Sequence, residues 1–448
     1  MPTAAASEPA KAPPSGAADH PTIWDDAAET MPRERLAALQ LERLRETAAR
    51  VLNGQPLGAK RLAEAGIESP ADISELDDLA GIPFAHKSDL REHYPFGLLA
   101  VPREEIVRVQ ASSGSHGKPT VVGYTRADLE TWTELMARSM TMAGVRPGML
   151  IHNANGYGLF TGGLGFHQGG ERIGATVVPV SGGFTARQAM LLRDLGAQVL
   201  VATPSYALVI AQALEESGID PATTALELGL FGGEPWTEGM RVQIDRALGI
   251  TAINFYGLSE LCGPGVATEC LIARDGLHVH EDHFLVEVID PVDGTPVPHG
   301  YDGELVFTTL TKEALPLIRY RTGDLGAVTI EPCACGRTTA RLVRLGGRRD
   351  DMMIIRGVNL YPSHIEQIML TVDGVGPHYQ LILERPGPMD ELTLVCELST
   401  LDGDRDGVRQ TLEKNLKEGT GVRIAVSVLD PGTVPRSEGK AVRVVDRR

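Results

Sequence analysis

From Arg33 to Leu52, apolar residues recur at Leu36, Leu39, Leu41, Leu44 and Val51 between arginines and glutamates. That spacing predicts an amphipathic helix with one face packed and the other in water. Between about residues 100 and 330 the pattern changes: short apolar runs such as 198–202 and 251–255 alternate with stretches of helical period such as 187–195 and 237–248. Alternation of this kind predicts an α/β domain with a largely parallel sheet, whose ligands sit beyond the carboxyl ends of the strands. After Asp350 the texture becomes that of a compact unit of about one hundred residues, a normal size for a small domain. It reads as a strand, a helix at 364–370, strands at 380–384 and 392–398, a helix at 405–417 and a final strand, a small α+β lid. Residues 1 to about 20 are rich in Ala, Pro and Ser and carry few large apolar side chains, so they cannot offset the entropy of ordering. The expected organisation is a disordered tail over 1–20, a large domain over 21–349 and a lid over 350–448, with a hinge where the lid begins.

Length agrees with this division, since 448 residues at 42% hydrophobic content support more than one core. The 50 glycines have no period and point to many tight turns and close backbone approaches. A formal charge of −17 disfavours nucleic acid and anionic membrane surfaces as main partners. No apolar run approaches the roughly 20 residues of a membrane helix, and the N-terminus lacks the regions of a signal peptide, so a cytoplasmic protein is expected. Five cysteines, an odd number, do not suggest a disulfide framework. Cys396, inside an alternating apolar run, is expected in a core.

The most informative stretch is ASSGSHGKPT at 111–120, followed by VVGY. Small hydroxyl residues and two glycines let backbone amides approach phosphate oxygens, and Lys118 supplies charge. The spacing is not that of a Walker loop, and a Ser/Gly-rich stretch is as often a plain connector. Further on come FGGEP at 231–235, YGLSE at 256–260, YRTGD at 320–324, GRRDD at 347–351, IRGVN at 355–359 and PRSEGK at 435–440. Singly these are ordinary turns and surface charges. In this order they resemble the adenylate-forming superfamily, and more narrowly the phenylacetate-CoA ligase family. The resemblance runs from about Ile23 to the C-terminus and includes HYPFGL from His93, YGLFTGGLG from Tyr157, TPSYAL from Thr203, EDHF from Glu281 and GKAVRV from Gly439.

The resemblance implies an adenylate-forming large domain with a mobile lid, ATP, Mg²⁺ and coenzyme A as cosubstrates and cofactor, and an aromatic carboxylic acid as substrate. On it, Ser112, Ser113, Gly114, Gly117 and Lys118 form the loop over the ATP phosphates. Glu234 and Tyr256 line the adenine and adenylate site, and Glu260 holds Mg²⁺. Asp324 accepts from the ribose hydroxyls with Arg348 beside it, Asp350 is the hinge, and Lys440 enters on the lid. Two anions meet when a carboxylate attacks the α-phosphorus, so cations must offset the repulsion. A lid lysine that enters for adenylation and then withdraws lets one cavity serve two half-reactions.

Cys270, shortly before His278 and His280, and the pair Cys333 and Cys335 could supply four ligands to a structural zinc ion, as some relatives with similar positions do. His278 is taken as the fourth ligand, although spacing does not choose it over His280 or His283. Cys262 is the least favoured ligand. Free thiols are the alternative.

Departures from the family pattern cluster in two places. Ser115 and His116 stand where two threonines are usual, and His116 either donates to phosphate or points to solvent. The acid pocket, expected around Tyr157 and Phe160, has Asn155 and Gln168 where tyrosines are usual, and Gly233 where alanine is usual. Amides in place of rings imply a roomier and more polar cavity, suited to a hydroxy- or amino-substituted aromatic acid of a biosynthetic pathway rather than phenylacetate. Two other readings remain: an adenylating ligase whose adenylate is intercepted by an amine or a second substrate molecule without CoA, as in benzoxazole formation, and a homologue that only binds its ligands. A homodimer is expected from family habit alone.

Overall fold

In the computed structural model, residues 22–112, 119–386, 390–437 and 439–448 are described. The expected tail, together with Ser113, Gly114, Ser115, His116, Gly117 and Lys118, lies outside the described residues.

The amphipathic helix spans Arg33–Gly54 and buries Leu36, Gln40, Leu44, Thr47, Ala48 and Val51, a stripe at three- and four-residue spacing. Leu39 and Leu41 flank it, half-buried. Two polar residues lie on the buried stripe because each has a distant partner: Gln40 Nε2 donates to the Glu281 carbonyl at 2.8 Å and Thr47 Oγ1 to the Leu310 carbonyl at 2.9 Å. These bonds fasten the helix to loops of the main sheet.

That sheet has eleven strands, in the spatial order Phe284–Ile289, Gly303–Thr309, Tyr320–Thr329, Arg341–Arg348, Leu277–Val279, Gly263–Glu269, Thr251–Leu258, Leu228–Gly232, Val199–Ala202, Leu150–Asn153 and Thr176–Val178. The last five are mutually parallel, and every other pairing is antiparallel. The expectation of a largely parallel sheet is therefore corrected to a mixed one. Parallel neighbours need crossovers, which the helices Thr161–Ile173, Thr185–Leu195, Pro204–Glu216 and Glu238–Leu248 supply. Beyond Leu258 no α-helix separates successive sheet strands, so the chain folds back on itself in meanders. In the parallel half Val199–Ala202 is buried at every position, since helices cover both faces.

The segment from Met353 onward forms its own apolar cluster, which includes Met353, Ile365, Leu381, Leu394, Cys396, Leu412 and Val428. Its four-stranded sheet runs Ala425–Leu429, Glu391–Leu398, Val375–Glu384, Val444–Asp446. Helices Pro362–Met369 and Arg405–Thr420 accompany it. This small unit rests on the large one through Thr237 Oγ1 donating to Glu366 Oε1 at 2.9 Å, and through Leu370 against the apolar cluster under the parallel strands. Among the described residues no helix is long and apolar enough to cross a membrane.

At the far side, residues 22–31 are held by a buried ion pair. Arg337 Nε donates to Glu29 Oε2 at 2.6 Å, with the two side chains 0% and 2% exposed. The other Glu29 oxygen accepts the Trp24 and Asp25 amides at 2.8 Å each. Removing one member of a buried pair strands the other charge. Arg337→Ala is expected to lower unfolding stability by about 3–5 kcal/mol; a urea titration showing less than about 1 kcal/mol would mean that Glu29 finds water instead.

Candidate active site

The carboxyl ends of the parallel strands face the small unit, and among the described residues Gly233, Glu234, Tyr256, Glu260, Asp324, Arg348 and Lys440 lie around them. Gly232 ends one of these strands, and a side chain on it would bring a carbon to 2.2 Å of the Phe255 carbonyl oxygen. Gly233 follows with φ +84°, a left-handed conformation that favours glycine. A methyl group there would stand 3.8 Å from Lys440 Cε and 3.9 Å from Thr203 Cγ2. Gly233 thus borders Lys440, and its backbone conformation gives it a reason to be glycine independent of the acid.

Glu234 projects from this turn between the two units. Its Oε1 accepts the Ser205 amide at 2.8 Å and the Ser205 hydroxyl, and its Oε2 accepts the Ala441 amide at 2.7 Å. Thr203 Oγ1 donates to the Gly439 carbonyl at 3.0 Å. Lys440, between Gly439 and Ala441, keeps contact with solvent. Desolvation by the surrounding protein lowers its pKa below the ordinary lysine value, with Glu234 pulling in the opposite direction.

Across the site, Tyr256 OH donates to Asp324 Oδ2 at 2.7 Å while Arg348 Nη1 donates to Asp324 Oδ1 at 2.7 Å. Burial raises the Asp324 carboxyl above its ordinary value, and Arg348 opposes that shift. Arg348 Nη2 also donates to the Thr322 carbonyl at 3.1 Å, and Asp350 lies 3.7 Å from it in the short turn Arg349–Asp351. Asp350 therefore stands between the last strand of the main sheet and the first residues of the small unit's cluster.

Glu260 is 3% exposed and has Lys87 Nζ at 3.5 Å. Sequence reasoning missed Lys87. It opens the helix Lys87–Glu92, where a cation opposes the helix dipole, and a lysine at that end is a signal that some other charge holds it. The neighbouring backbone is fixed by Ala85, which exchanges hydrogen bonds of 3.0 and 2.9 Å with Arg319 and Arg321.

The strands on either side of the undescribed residues, Arg108–Ala111 and Val121–Tyr124, pair as an antiparallel hairpin, and the Ser112 amide donates to the Thr120 carbonyl at 3.0 Å. The hydroxyls of Ser112 and Thr120 are buried without a hydrogen-bond partner among the described residues, as groups awaiting a ligand would be. The Ala111 amide donates to the Leu159 carbonyl at 2.8 Å, which docks the hairpin on the loop beyond Leu150–Asn153.

The residues expected around the acid separate. Asn155 lies at this strand end, and its side-chain amide makes no hydrogen bond among the described residues. Tyr157 OH accepts from Asn153 Nδ2 at 2.8 Å and lies 3.1 Å from His167 Nδ1, and burial pushes its phenol up to about 12. Phe160 is 52% exposed and caps the helix Thr161–Ile173. Gln168 lies about 10 Å along that helix from Thr161, and its Oε1 accepts from Arg108 Nη1 at 3.1 Å. Its amide oxygen thus has a partner within the protein.

The cysteine and histidine residues do come together. The ligand atoms of Cys270, His278, Cys333 and Cys335 all lie within 4.8 Å of one another. Cys270 and Cys333 sulfurs are 3.8 Å apart, and His278 Nε2 is 3.4 Å from Cys335 Sγ. His278 Nδ1 is turned to Thr339 Oγ1 at 3.0 Å. His280 and His283 are engaged elsewhere, with Ser139 and Thr311. Cys262 is buried apart from the cluster, its sulfur near the Gly263 and Pro264 carbonyls.

A family model described as AMP-binding enzyme matches residues 72–310, and one described as AMP-binding enzyme C-terminal domain matches 357–448. Over 444 residues the chain is 51% identical to a phenylacetate-coenzyme A ligase of Thermus thermophilus, covering 95% of this chain and 100% of that protein. The chain belongs to the phenylacetate-coenzyme A ligase family of AMP-binding enzymes. A phenylacetate-coenzyme A ligase of Escherichia coli is 48% identical over 94% of this family member and 97% of its own length. Among solved structures, 2-hydroxyisobutyryl-CoA ligase in its postadenylation state, with R3-HIB-AMP, aligns at a TM-score of 0.90 and 31% identity, covering 98% of this chain and 94% of that one. The same ligase in its thioesterification state aligns at 0.71 and 31% identity, covering 97% and 94%. The arrangement of large and small units in this family member is thus closer to the postadenylation arrangement.

The Tyr256–Asp324 bond offers a direct check on the site's construction. Tyr256→Phe leaves Asp324 Oδ2 without its phenolic donor, and a loss of about 1–3 kcal/mol in denaturant unfolding is expected. No loss would show that the carboxylate is satisfied by solvent.

Proposed function

We propose that this AMP-forming acid–coenzyme A ligase works by carrying Lys440 on a lid into the adenylation site. The supporting observation is that Lys440 stands beside Gly233 with both neighbouring residues bonded to the large unit. In the first half-reaction an oxygen of the acid bonds to the α-phosphorus of ATP and pyrophosphate departs; in the second, the CoA sulfur bonds to the acyl carbon and AMP departs. Ser112, Ser113, Gly114, Gly117 and Lys118 hold the phosphates, for which the Ser112 and Thr120 hydroxyls, without a partner among the described residues, are suited. Asp324 accepts from the ribose hydroxyls and is oriented by Arg348 and Tyr256. Glu260 is the residue suited to Mg²⁺, which when bound offsets charge on the phosphate oxygens. Lys87 adds a cation beside the same carboxylate. The lid comprises 350–448 and pivots at Asp350.

The acid is a hydroxy- or amino-substituted aromatic carboxylate in this reading. Asn155 supports it, as an amide at the strand end with its hydrogen-bonding capacity free among the described residues. Gln168 and Gly233 do not, because one is bonded to Arg108 and the other has a backbone reason to be glycine. Pyrophosphate release across a panel of acids, with and without CoA, tests the whole reading. Release is expected with a substituted aromatic acid, with a CoA thioester as product, and Lys440→Ala should lower release by about 10²–10³-fold while leaving thioester formation from a supplied acyl-adenylate largely intact. Highest catalytic efficiency with phenylacetate would reject the substituted acid, and equal loss in both half-reactions would reject the two-position lysine.

Cys270, His278, Cys333 and Cys335 are proposed to hold a structural zinc ion. A tetrahedron with Zn–S near 2.3 Å and Zn–N near 2.0 Å places sulfurs about 3.8 Å apart and sulfur and nitrogen about 3.5 Å apart, which the spacings above match. Thr339 beside the other ring nitrogen fixes the imidazole, as partners of ligating histidines do. Elemental analysis of protein purified without added metal should find about one zinc per chain; clearly less in freshly purified protein rejects the site.

A further inference from the structure

We propose that Glu234 is a positioning residue that holds the lid, and Lys440 with it, in the adenylation position by accepting the Ala441 amide proton. This rests on the two-position reading above and deepens it. One carboxylate joins two units: Oε1 is fixed by the Ser205 amide and hydroxyl, and Oε2 reaches the lid. The anchored side is rigid, because Ser205 is buried in the first turn of the thirteen-residue helix Pro204–Glu216. Backbone amides bonded to a carboxylate make stronger bonds than neutral pairs do.

The place of the bond matters more than its strength. Ala441 directly follows Lys440, and Gly439, directly before it, is held by Thr203. The lysine is therefore pinned on both flanks, by groups at the ends of the neighbouring strands Val199–Ala202 and Leu228–Gly232. Of the other polar contacts between the units among the described residues, Thr237 with Glu366 at 2.9 Å and Ser363 Oγ with the Gly346 carbonyl at 2.5 Å lie on other parts of the lid, while Arg436 with Gln212 at 3.4 Å lies four residues before Lys440. When the lid turns, the Ser205 bonds stay with the large unit and the Ala441 bond breaks. Loss of that bond should accordingly penalise one half-reaction and not the other.

A carboxylate that contacted the nucleotide instead would behave differently, because the AMP moiety stays bound through both steps. Glu234→Gln separates the two cases. The Ser205 amide needs an acceptor, so the Gln side-chain oxygen stays there and its NH₂ group is left facing the Ala441 N–H, donor against donor. In the full chain, the expected result is a fall of about tenfold or more in acid-dependent pyrophosphate release, with the KM for ATP and thioester formation from supplied acyl-adenylate changed by less than about twofold. A raised KM for ATP at unchanged kcat, or parallel loss in both half-reactions, overturns the proposal. Trypsin cleavage near Arg349 and Arg356, at the start of the lid, gives a readout independent of turnover. Cleavage should become several-fold faster in the variant, and an unchanged rate overturns the latch even where the unmodified protein releases no pyrophosphate, a result that counts against the two-position reading instead. If the Gln variant melts early, Glu234→Asp decides by the same readouts, since the shorter side chain cannot span Ser205 and Ala441 together.

Discussion

A side chain at Gly257 would place a carbon 1.9 Å from the Gly263 carbonyl oxygen, and the reversal of chain between these glycines governs the rest of the molecule. It is where the sheet passes from parallel to antiparallel. On one side lie the parallel strands, whose carboxyl ends lead to Thr203 and Glu234; on the other lie the meanders that carry Asp324 and Arg348. The strand Thr251–Leu258 belongs to both halves, and Tyr256 on it reaches across to Asp324. The turn that follows carries Glu260. Close backbone approach at this one place therefore assembles a site from residues that are far apart in sequence.

Buried ion pairs do much of the remaining fastening. Arg241 donates to both oxygens of Glu269 at 2.9 and 2.8 Å and to the Ala252 carbonyl at 2.7 Å, tying the helix Glu238–Leu248 to the strands beneath it. Arg138 does the same for Asp282 and Asp25 at 2.9 and 3.1 Å. Each costs desolvation, so each is useful chiefly in fixing one arrangement over near alternatives. The cysteine and histidine cluster continues this theme: Cys335 is two residues from Arg337, whose pairing with Glu29 secures the start of the described chain. The cluster and the ion pair together anchor a region well outside the acid and nucleotide residues.

The small unit is attached differently. Its own core closes without the large unit, and its contacts across the boundary are few and mostly polar. Such an interface can be left and re-formed more readily than an apolar one. Lys440 lies on this interface, where desolvation by the protein and the pull of Glu234 oppose each other.

The sequence alone determined the class of fold and the presence of a large unit followed by a small one. Strand and helix periods are local, and runs such as YRTGD and PRSEGK carry their chemistry in consecutive residues. It also put Cys270, Cys333 and Cys335 on one list, while leaving three histidines to choose among. What it could not provide was decided by approach in space. The antiparallel half of the sheet was read as parallel, because strand direction depends on the connections and not on the strand's own pattern. Lys87 went unnoticed, because its meaning lies in Glu260, far along the chain. Gln168 was assigned to the acid pocket from a substitution, whereas its amide meets Arg108 on a separate hairpin. Glu234 was placed at the adenine and adenylate site, and nothing in its local sequence foretold that it bonds Ser205 on one side and Ala441 of the small unit on the other. Hydrogen bonds to distant partners leave no periodic trace in the sequence, so only the tertiary structure assigns them.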